Sequence, residues 1–226
     1  MAIRAVIFDV GNTLLHMNYT VIAEVLTACG YTVTPAAVHA AECYARPTLD
    51  TLIIRGESSP FTGYFQALCT RLGLPWDDKT RAALEAIRAY DRAHGLWDHA
   101  LPWAHATLRA LQHAGYILGV ISNSDGSAAS LLARQGLDRF FRFVLDSFLV
   151  KVEKPAPRIF QLALEHTRTA PQETVYVGDL YCVDVAGARG VGMHGVLLDP
   201  LAVWQAWPCP KVHDLQQLPS LLTTLG

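Results

Sequence analysis

The chain has 226 residues, with 18 Lys and Arg against 20 Asp and Glu, a formal net charge of −2. Nucleic acid or an anionic membrane as main partner calls for a basic surface excess that this balance does not provide. Apolar residues make up 51% and charged ones 17%, so the chain reads as folded, and it is long enough to bury a core without disulfide or metal staples.

The first predicted strand is Ala5–Phe8 (AVIF). The N-terminus MAIRAVIFDVG runs straight into it, without the long apolar stretch and small-residue cleavage site of a secretory leader. Residues 17–96 then show no strand pattern. Val21–Cys29, Pro35–Ala45, Phe61–Leu72 and Lys79–His94 carry helical periodicity. Thr34 followed by Pro35 reads as an N-cap with Pro at the first helical position. Asp77 and Asp78 open the last helix, and Gly30, Gly73 and Gly95 supply stops.

Beyond this stretch the pattern alternates. Helix Trp103–Ala114 ends at Gly115, strand Ile117–Ile121 follows, and helix Ser127–Gln135 ends at Gly136. Strand Phe143–Leu145, helix Pro157–His166 and strands Thr174–Val177 and Gly195–Leu198 complete it. Short apolar runs separated by helices imply right-handed crossovers between buried parallel strands. The expected architecture is therefore an α/β, doubly wound, Rossmann-like core, residues 1–16 and 97–226. An all-helical domain, residues 17–96, is inserted after the first strand.

The five cysteines, Cys29, Cys43, Cys69, Cys182 and Cys209, are odd in number and lack C-x-x-C spacing. This speaks against a disulfide scaffold or a thiolate zinc site and suits a reducing compartment. No run of 18 uncharged apolar residues reads as a membrane span. A cytoplasmic location is expected.

Ligands of open parallel sheets bind outside the carboxyl ends of the strands. After the first strand comes Asp9-Val10-Gly11-Asn12-Thr13-Leu14, and after the second Ser122-Asn123-Ser124. Lys151-Val152-Glu153-Lys154-Pro155 precedes the third helix, and Gly178-Asp179 ends the fourth strand, with Asp184 five residues on. Carboxylates, a hydroxyl and a lysine thus converge on one rim. An Asp there can act as a nucleophile. Attack on a phosphate dianion needs a cation, and paired carboxylates suit Mg²⁺. Ser122 and backbone N–H groups can hold phosphate oxygens, and Lys154 can neutralise developing charge.

The four segments FDVGNTLL (8–15), VISNS (120–124), KPAPRIF (154–160) and VGDLYCVD (177–184) resemble, in order, the motifs of the haloacid dehalogenase superfamily of hydrolases. The helical insert looks like that family's cap, and the tail 213–222 like its last helix. The resemblance implies Asp9 as nucleophile, Ser122 as phosphoryl binder and Lys154 as charge-stabilising lysine. Thr13, which braces the first loop, and Asn123 are the substrate-binding candidates. Mg²⁺ would be held by Asp9, the Gly11 carbonyl and Asp179, with Asp184 binding it directly or through its waters. The implied function is Mg²⁺-dependent hydrolysis of a small phosphorylated metabolite through an aspartyl-phosphate on Asp9. The protein is expected as a monomer or homodimer, with no nucleic-acid or membrane partner.

One position departs from the family pattern. The phosphatases carry a second Asp, the general acid–base, where this chain has Gly11; its loss costs ~10²–10⁴ in rate. Asn12 reads as a turn residue tolerant of unusual φ, and His16 is a candidate deputy acid–base. Two other functions stay open: a 2-haloacid-type dehalogenase, which also lacks that Asp, and a non-catalytic relative that binds a phosphorylated ligand. Lys79, Lys151, Arg46 and Arg55 read as solvated charges. The other histidines show no metal-ligand spacing, and Trp97, Trp103, Trp204 and Trp207 read as packing residues.

Overall fold

The structure is a computed structural model that describes residues 2–225; residues 1 and 226, the outer bounds of the expected core, lie outside the described residues. The chain divides into two compact units, Met1–His16 with His99–Gly226, and Met17–Asp98.

The strands are β1 (Ala5–Phe8), β2 (Leu15–Met17), β3 (Trp97–Ala100), β4 (Ile117–Ser122), β5 (Val144–Asp146), β6 (Thr174–Gly178), β7 (His194–Leu198) and β8 (Lys211–Val212). The helices of the smaller unit are α1 (Tyr19–Ala28), α2 (Pro35–Ile54), α3 (Pro60–Arg71) and α4 (Asp78–His94). Those of the larger are α5 (Ala104–His113), α6 (Ala128–Arg134), α7 (Ser147–Val150), α8 (Pro157–Thr167), α9 (Gly187–Gly190) and α10 (Leu218–Leu225).

In the larger unit six strands form one parallel sheet in the order β5-β4-β1-β6-β7-β8. All four residues of β1 are buried, the mark of a strand covered on both faces. Ile7, Ile121, Ile159, Phe160 and Met193 belong to one core cluster, each such side chain contributing ~1.5–3 kcal/mol by burial. Phe8, the last residue of β1, lies opposite Val120 and Val177, so β4 runs two residues and β6 one residue beyond it. The Asp9 N–H donates to the Val177 carbonyl at 2.9 Å, extending that pairing by one residue. From β1 the sheet is built outward through β4 and β5, then on the other side through β6, β7 and β8. The crevice beyond the ends of β1 and β6 is therefore the switch point where a doubly wound sheet binds its ligand.

The five expected strands are all present; Ala5–Phe8 matches end for end and the other four have ends shifted by one residue. β5 begins at Val144 because Phe143 has a packing task. Its ring lies where a Cβ on Gly119 would come within 2.2 Å, and it stacks on His166 at 4.8 Å. Trp103 does not begin α5. It is the N-cap, with φ 68°, and is 52% exposed, as Trp207 is 38%. Of the tryptophans read as packing residues, Trp204 is buried.

The smaller unit is helical from α1 to α4. Asn18 caps α1 by accepting from the Val21 N–H at 3.0 Å. Thr34 caps α2 ahead of Pro35, and Asp77 with Thr80 forms a capping box on α4. Its core holds Ile22, Leu26, Val38, Phe65, Leu68, Leu84 and Ile87. The expected end of the second helix at Ala45 is corrected, since α2 runs through Pro47 to Ile54. Glu42, Arg46 and Asp50, four residues apart and hence on one face, are all buried. Packing of Ala41, Ala45 and Leu49 into the helical core opposes the ~3 kcal/mol that an interior proline costs.

Arg46 is accordingly no solvated charge. Its Nε and Nη2 donate to the two oxygens of Glu42 at 2.7 and 2.8 Å. Tyr19 donates to the same carboxylate at 3.2 Å, as does Tyr64. Burial opposes ionisation of Glu42, but Arg46 and these bonds hold its carboxyl below the usual range. Arg55, Lys79 and Lys151 are exposed.

Residues 17–96 are not wholly without strand. Met17 ends β2, which pairs with β3 in a two-stranded sheet where the chain passes from one unit to the other. The smaller unit reaches Asp98, two residues past the expected boundary. Beside it His16 stacks on His99, ring centroids 5.4 Å apart.

Candidate active site

The loops at the carboxyl ends of β1, β4 and β6 carry the residues singled out from the sequence, and the fold brings several of them together. Asp9, Asp179 and Asp184 are buried, and one ligand oxygen of each lies within 4.8 Å of the others. Among the described residues this is the one cluster of three or more such groups arranged to hold a metal ion.

Asp9 follows β1 directly. After it the chain turns on Asn12, whose φ of 54° is left-handed, as its residue type predicts. The Asn12 N–H donates to the Leu15 carbonyl at 2.6 Å, and Gly11 bridges to Leu15. Thr13 lies inside this turn, fully buried, and its hydroxyl has no hydrogen-bond partner.

Asp184 reaches the cluster through a wide π-type turn, Tyr181–Ala186, in which the Val185 N–H points to the Leu180 carbonyl at 3.4 Å. Such turns recur at functional sites. One Asp184 oxygen accepts from the Leu180 N–H at 3.0 Å. The space it fills exists because residue 178 is glycine: a Cβ there would come within 2.4 Å of the Asp184 carboxyl.

Lys154 is buried against these carboxylates. Its ammonium donates to Asp9 Oδ1 at 2.5 Å, to Asp184 Oδ1 at 2.8 Å and to the Tyr176 hydroxyl at 3.0 Å. Burial disfavours its charge, but Asp184 and Asp9 outweigh burial and hold it well above its ordinary value. For Asp9, burial is the largest influence and raises the carboxyl, Lys154 opposes it and Asp184 adds to it; the balance stands at about 6. Lys154 bonds two of the three carboxylates, and the cluster as a whole offers the oxygen ligands that a divalent cation such as Mg²⁺ prefers.

Ser122 ends β4, buried at the rim. The Asn123 side chain is committed elsewhere than the sequence suggested. Its Nδ2 donates to the Lys154 carbonyl at 2.9 Å, and its Oδ1 accepts the Lys154 N–H at 2.8 Å. It holds the lysine's backbone rather than reaching toward a ligand.

Two residues of this region escaped the sequence reading. Asp146, at the end of β5, is buried and accepts from the N–H groups of Gly126, Ala128 and Phe148 at 3.0–3.2 Å. It thereby shapes the loop that carries Ser122 and Asn123. The available signal was a third apolar strand closing on Asp, VLD after IFD. The other residue is Tyr176, inside β6, which passes for apolar bulk in the sequence.

A doubly wound α/β unit with a buried cluster of three aspartates and a lysine at its switch point defines a class of hydrolases. A family model for haloacid dehalogenase-like hydrolases matches residues 3–192, and the chain belongs to that family. Haloacid dehalogenase-like hydrolase domain-containing protein 3 of Mus musculus is 38% identical over 128 residues, 55% of this chain and 51% of that protein. Glyceraldehyde 3-phosphate phosphatase of Pyrococcus furiosus is 35% identical over 147 residues, 64% of this chain and 60% of that protein. The chain thus spans about half to three-fifths of the length of these curated relatives. The crystal structure of 2-haloacid dehalogenase from Pseudomonas syringae matches with a TM-score of 0.60 over 99% of this chain and 100% of that one. At 23% identity, that likeness is one of fold. No described helix is long and apolar enough to cross a membrane.

Proposed function

We propose that the chain is a Mg²⁺-dependent phosphatase of small phosphorylated metabolites that works through an aspartyl-phosphate on Asp9. The observation that carries this reading is the shared ammonium of Lys154 between Asp9 and Asp184, with Asp179 alongside. The likeness to a relative named as a phosphatase supports phosphoryl chemistry over dehalogenation. Asp9, Asp179 and Asp184, with the Gly11 carbonyl, are the groups that would hold Mg²⁺, and the ion would offset the charge of an approaching phosphate.

This chain's own residues take the following parts. An Asp9 oxygen attacks phosphorus, the ester P–O bond breaks, and the alcohol oxygen departs with its electron pair. Lys154 keeps Asp9 ionised and aimed, and the Ser122 hydroxyl donates to a phosphate oxygen. Asn123 anchors the backbone of Lys154. Water then attacks phosphorus, the P–O bond to Asp9 breaks with its electron pair going to the carboxylate, and the water's proton passes to solvent as inorganic phosphate leaves. Gly11 has no proton to give the departing oxygen and no base for the water, so the chain favours esters whose leaving group is stable as an anion. The helical unit, residues 17–98, serves in this reading as the cap that selects substrates.

The test is a panel of aryl, acyl and alkyl phosphates with and without Mg²⁺, run beside a 2-haloacid. Phosphate release that depends on Mg²⁺ and vanishes in Asp9→Asn is the expected outcome. Halide release without metal would replace this reading with a dehalogenase. Phosphate-ester binding without turnover of anything would make the chain a non-catalytic relative.

A further inference from the structure

Tyr176 has no part in the chemistry proposed above, yet its hydroxyl lies against the Lys154 ammonium. It is fully buried inside β6, where an apolar ring would suffice for the sheet. Burying a phenol hydroxyl is costly unless its bonds are made, and here both are. The hydroxyl donates to the Ile121 carbonyl at 3.1 Å and accepts from Lys154 Nζ at 3.0 Å. A phenol has one proton; with that proton given to Ile121, a lone pair faces the ammonium. The ring is held edge-on by Phe160 at 5.3 Å between centroids.

An ammonium has three protons, and here each has an acceptor: Asp9, Asp184 and Tyr176. We propose that Tyr176 is a positioning residue. It supplies the third, uncharged acceptor that fixes the rotation of the Lys154 ammonium and so the plane of the Asp9 carboxylate. Through Ile121 it also ties that ammonium to β4, one residue before Ser122. With two acceptors the ammonium pivots about the Asp9–Asp184 line, and Asp9 loses its aim. The catalytic meaning of this role rests on the phosphatase reading; its geometric content does not.

The experiment has one arm that needs no substrate. In metal-free protein labelled with ¹⁵N-lysine and studied near 0 °C, the Lys154 ammonium, assigned with Lys154→Met, exchanges its protons slowly compared with exposed Lys79 and Lys151. In Tyr176→Phe, folded by its melting curve, that exchange accelerates about tenfold, the scale of a lost charge-assisted hydrogen bond. The second arm measures p-nitrophenyl phosphate with Mg²⁺. There kcat falls about tenfold while KM stays within twofold, since no phosphate-binding group has been touched.

Unchanged ammonium exchange in Tyr176→Phe, or a change in KM alone, overturns the proposal. Should the variant not fold, wild-type exchange at Lys154 as fast as at Lys79 overturns it, and slow exchange upholds the three-acceptor arrangement. A wild type that hydrolyses no phosphate while the ammonium behaves as expected upholds Tyr176 and removes the phosphatase reading instead.

Discussion

Asn123 grips Lys154 by its backbone from two sides, Nδ2 on the carbonyl at 2.9 Å and Oδ1 on the N–H at 2.8 Å. The loop after β4 and the loop before α8 are thereby joined, and the lysine side chain leaves from a fixed base. Asn123→Ala removes both bonds. It is expected to cost ~1–3 kcal/mol of stability and to lower kcat at least tenfold with little change in KM. Thermal melting and steady-state rates on one substrate check this. Asn123→Asp, which keeps the acceptor and loses the donor, should fall between.

Gly178 is the second position where a small change should have a large effect. A methyl group there meets Asp184 Cγ and Oδ2 at 2.4 Å. Asp184 is held at both oxygens, by Lys154 and by the Leu180 N–H, and has no room to yield. Gly178→Ala should therefore destabilise the larger unit by ~1–3 kcal/mol and weaken Mg²⁺ binding. Calorimetric titration with Mg²⁺, beside a melting curve, reads both.

Gly11→Asp would give the leaving oxygen a proton donor and the attacking water a base. Turnover of alkyl phosphates is expected to rise by ~10²-fold or more, while aryl phosphates change little. Equal wild-type rates on the two classes would mean that another group already supplies the proton. His16→Ala would then be the informative variant, since the His16 ring stacks on His99.

The buried pair in the helical unit makes a pH prediction. The Glu42 carboxyl is held below its ordinary value of 4.5 by Arg46, against burial. A carboxyl lowered on folding adds stability that is present above its unfolded value and lost as pH falls through the folded one. Glu42→Gln removes the carboxylate that Arg46 Nε and Nη2 bond and should cost ~1.5–3 kcal/mol at pH 7. Urea unfolding at several pH values should show the gap between wild type and variant constant down to about pH 5 and shrinking below 4.5. A gap that does not change with pH would mean the carboxylate charge contributes nothing.

The sheet was legible because its central strands are buried on both faces and so read as plain apolar runs; AVIF, ILGVIS and TVYVG need no partner to be recognised. β2, β3 and β8, at two to four residues, are too short to show a period. The expected end of α2 at Ala45 falls short because what holds the helix beyond Pro47 is tertiary: Leu49 packs on the helical core and Asp50 is buried, which the sequence shows only as a mixed stretch. The acidic residues and Lys154 were legible from their places after strands. Tyr176 and Asp146 were not, since one resembles core bulk and the other a cap, and only their bonds reveal what they hold in place. Asn123 reads from the sequence as a substrate-binding candidate, and its bonds to the Lys154 backbone show only in the structure.

The pairing of β1 with β4 on one side and β6 on the other has a consequence for biosynthesis. β1 precedes both of its neighbours in the chain and finds them only when residues 117–122 and 174–178 have followed. The four helices from 19 to 94 need only each other and can assemble while the sheet is still being made. Asp9 thus leaves the ribosome 145 residues ahead of its partner Lys154. A nascent chain halted before Lys154 emerges can have its helical unit folded while Asp9 still lacks its counter-charge.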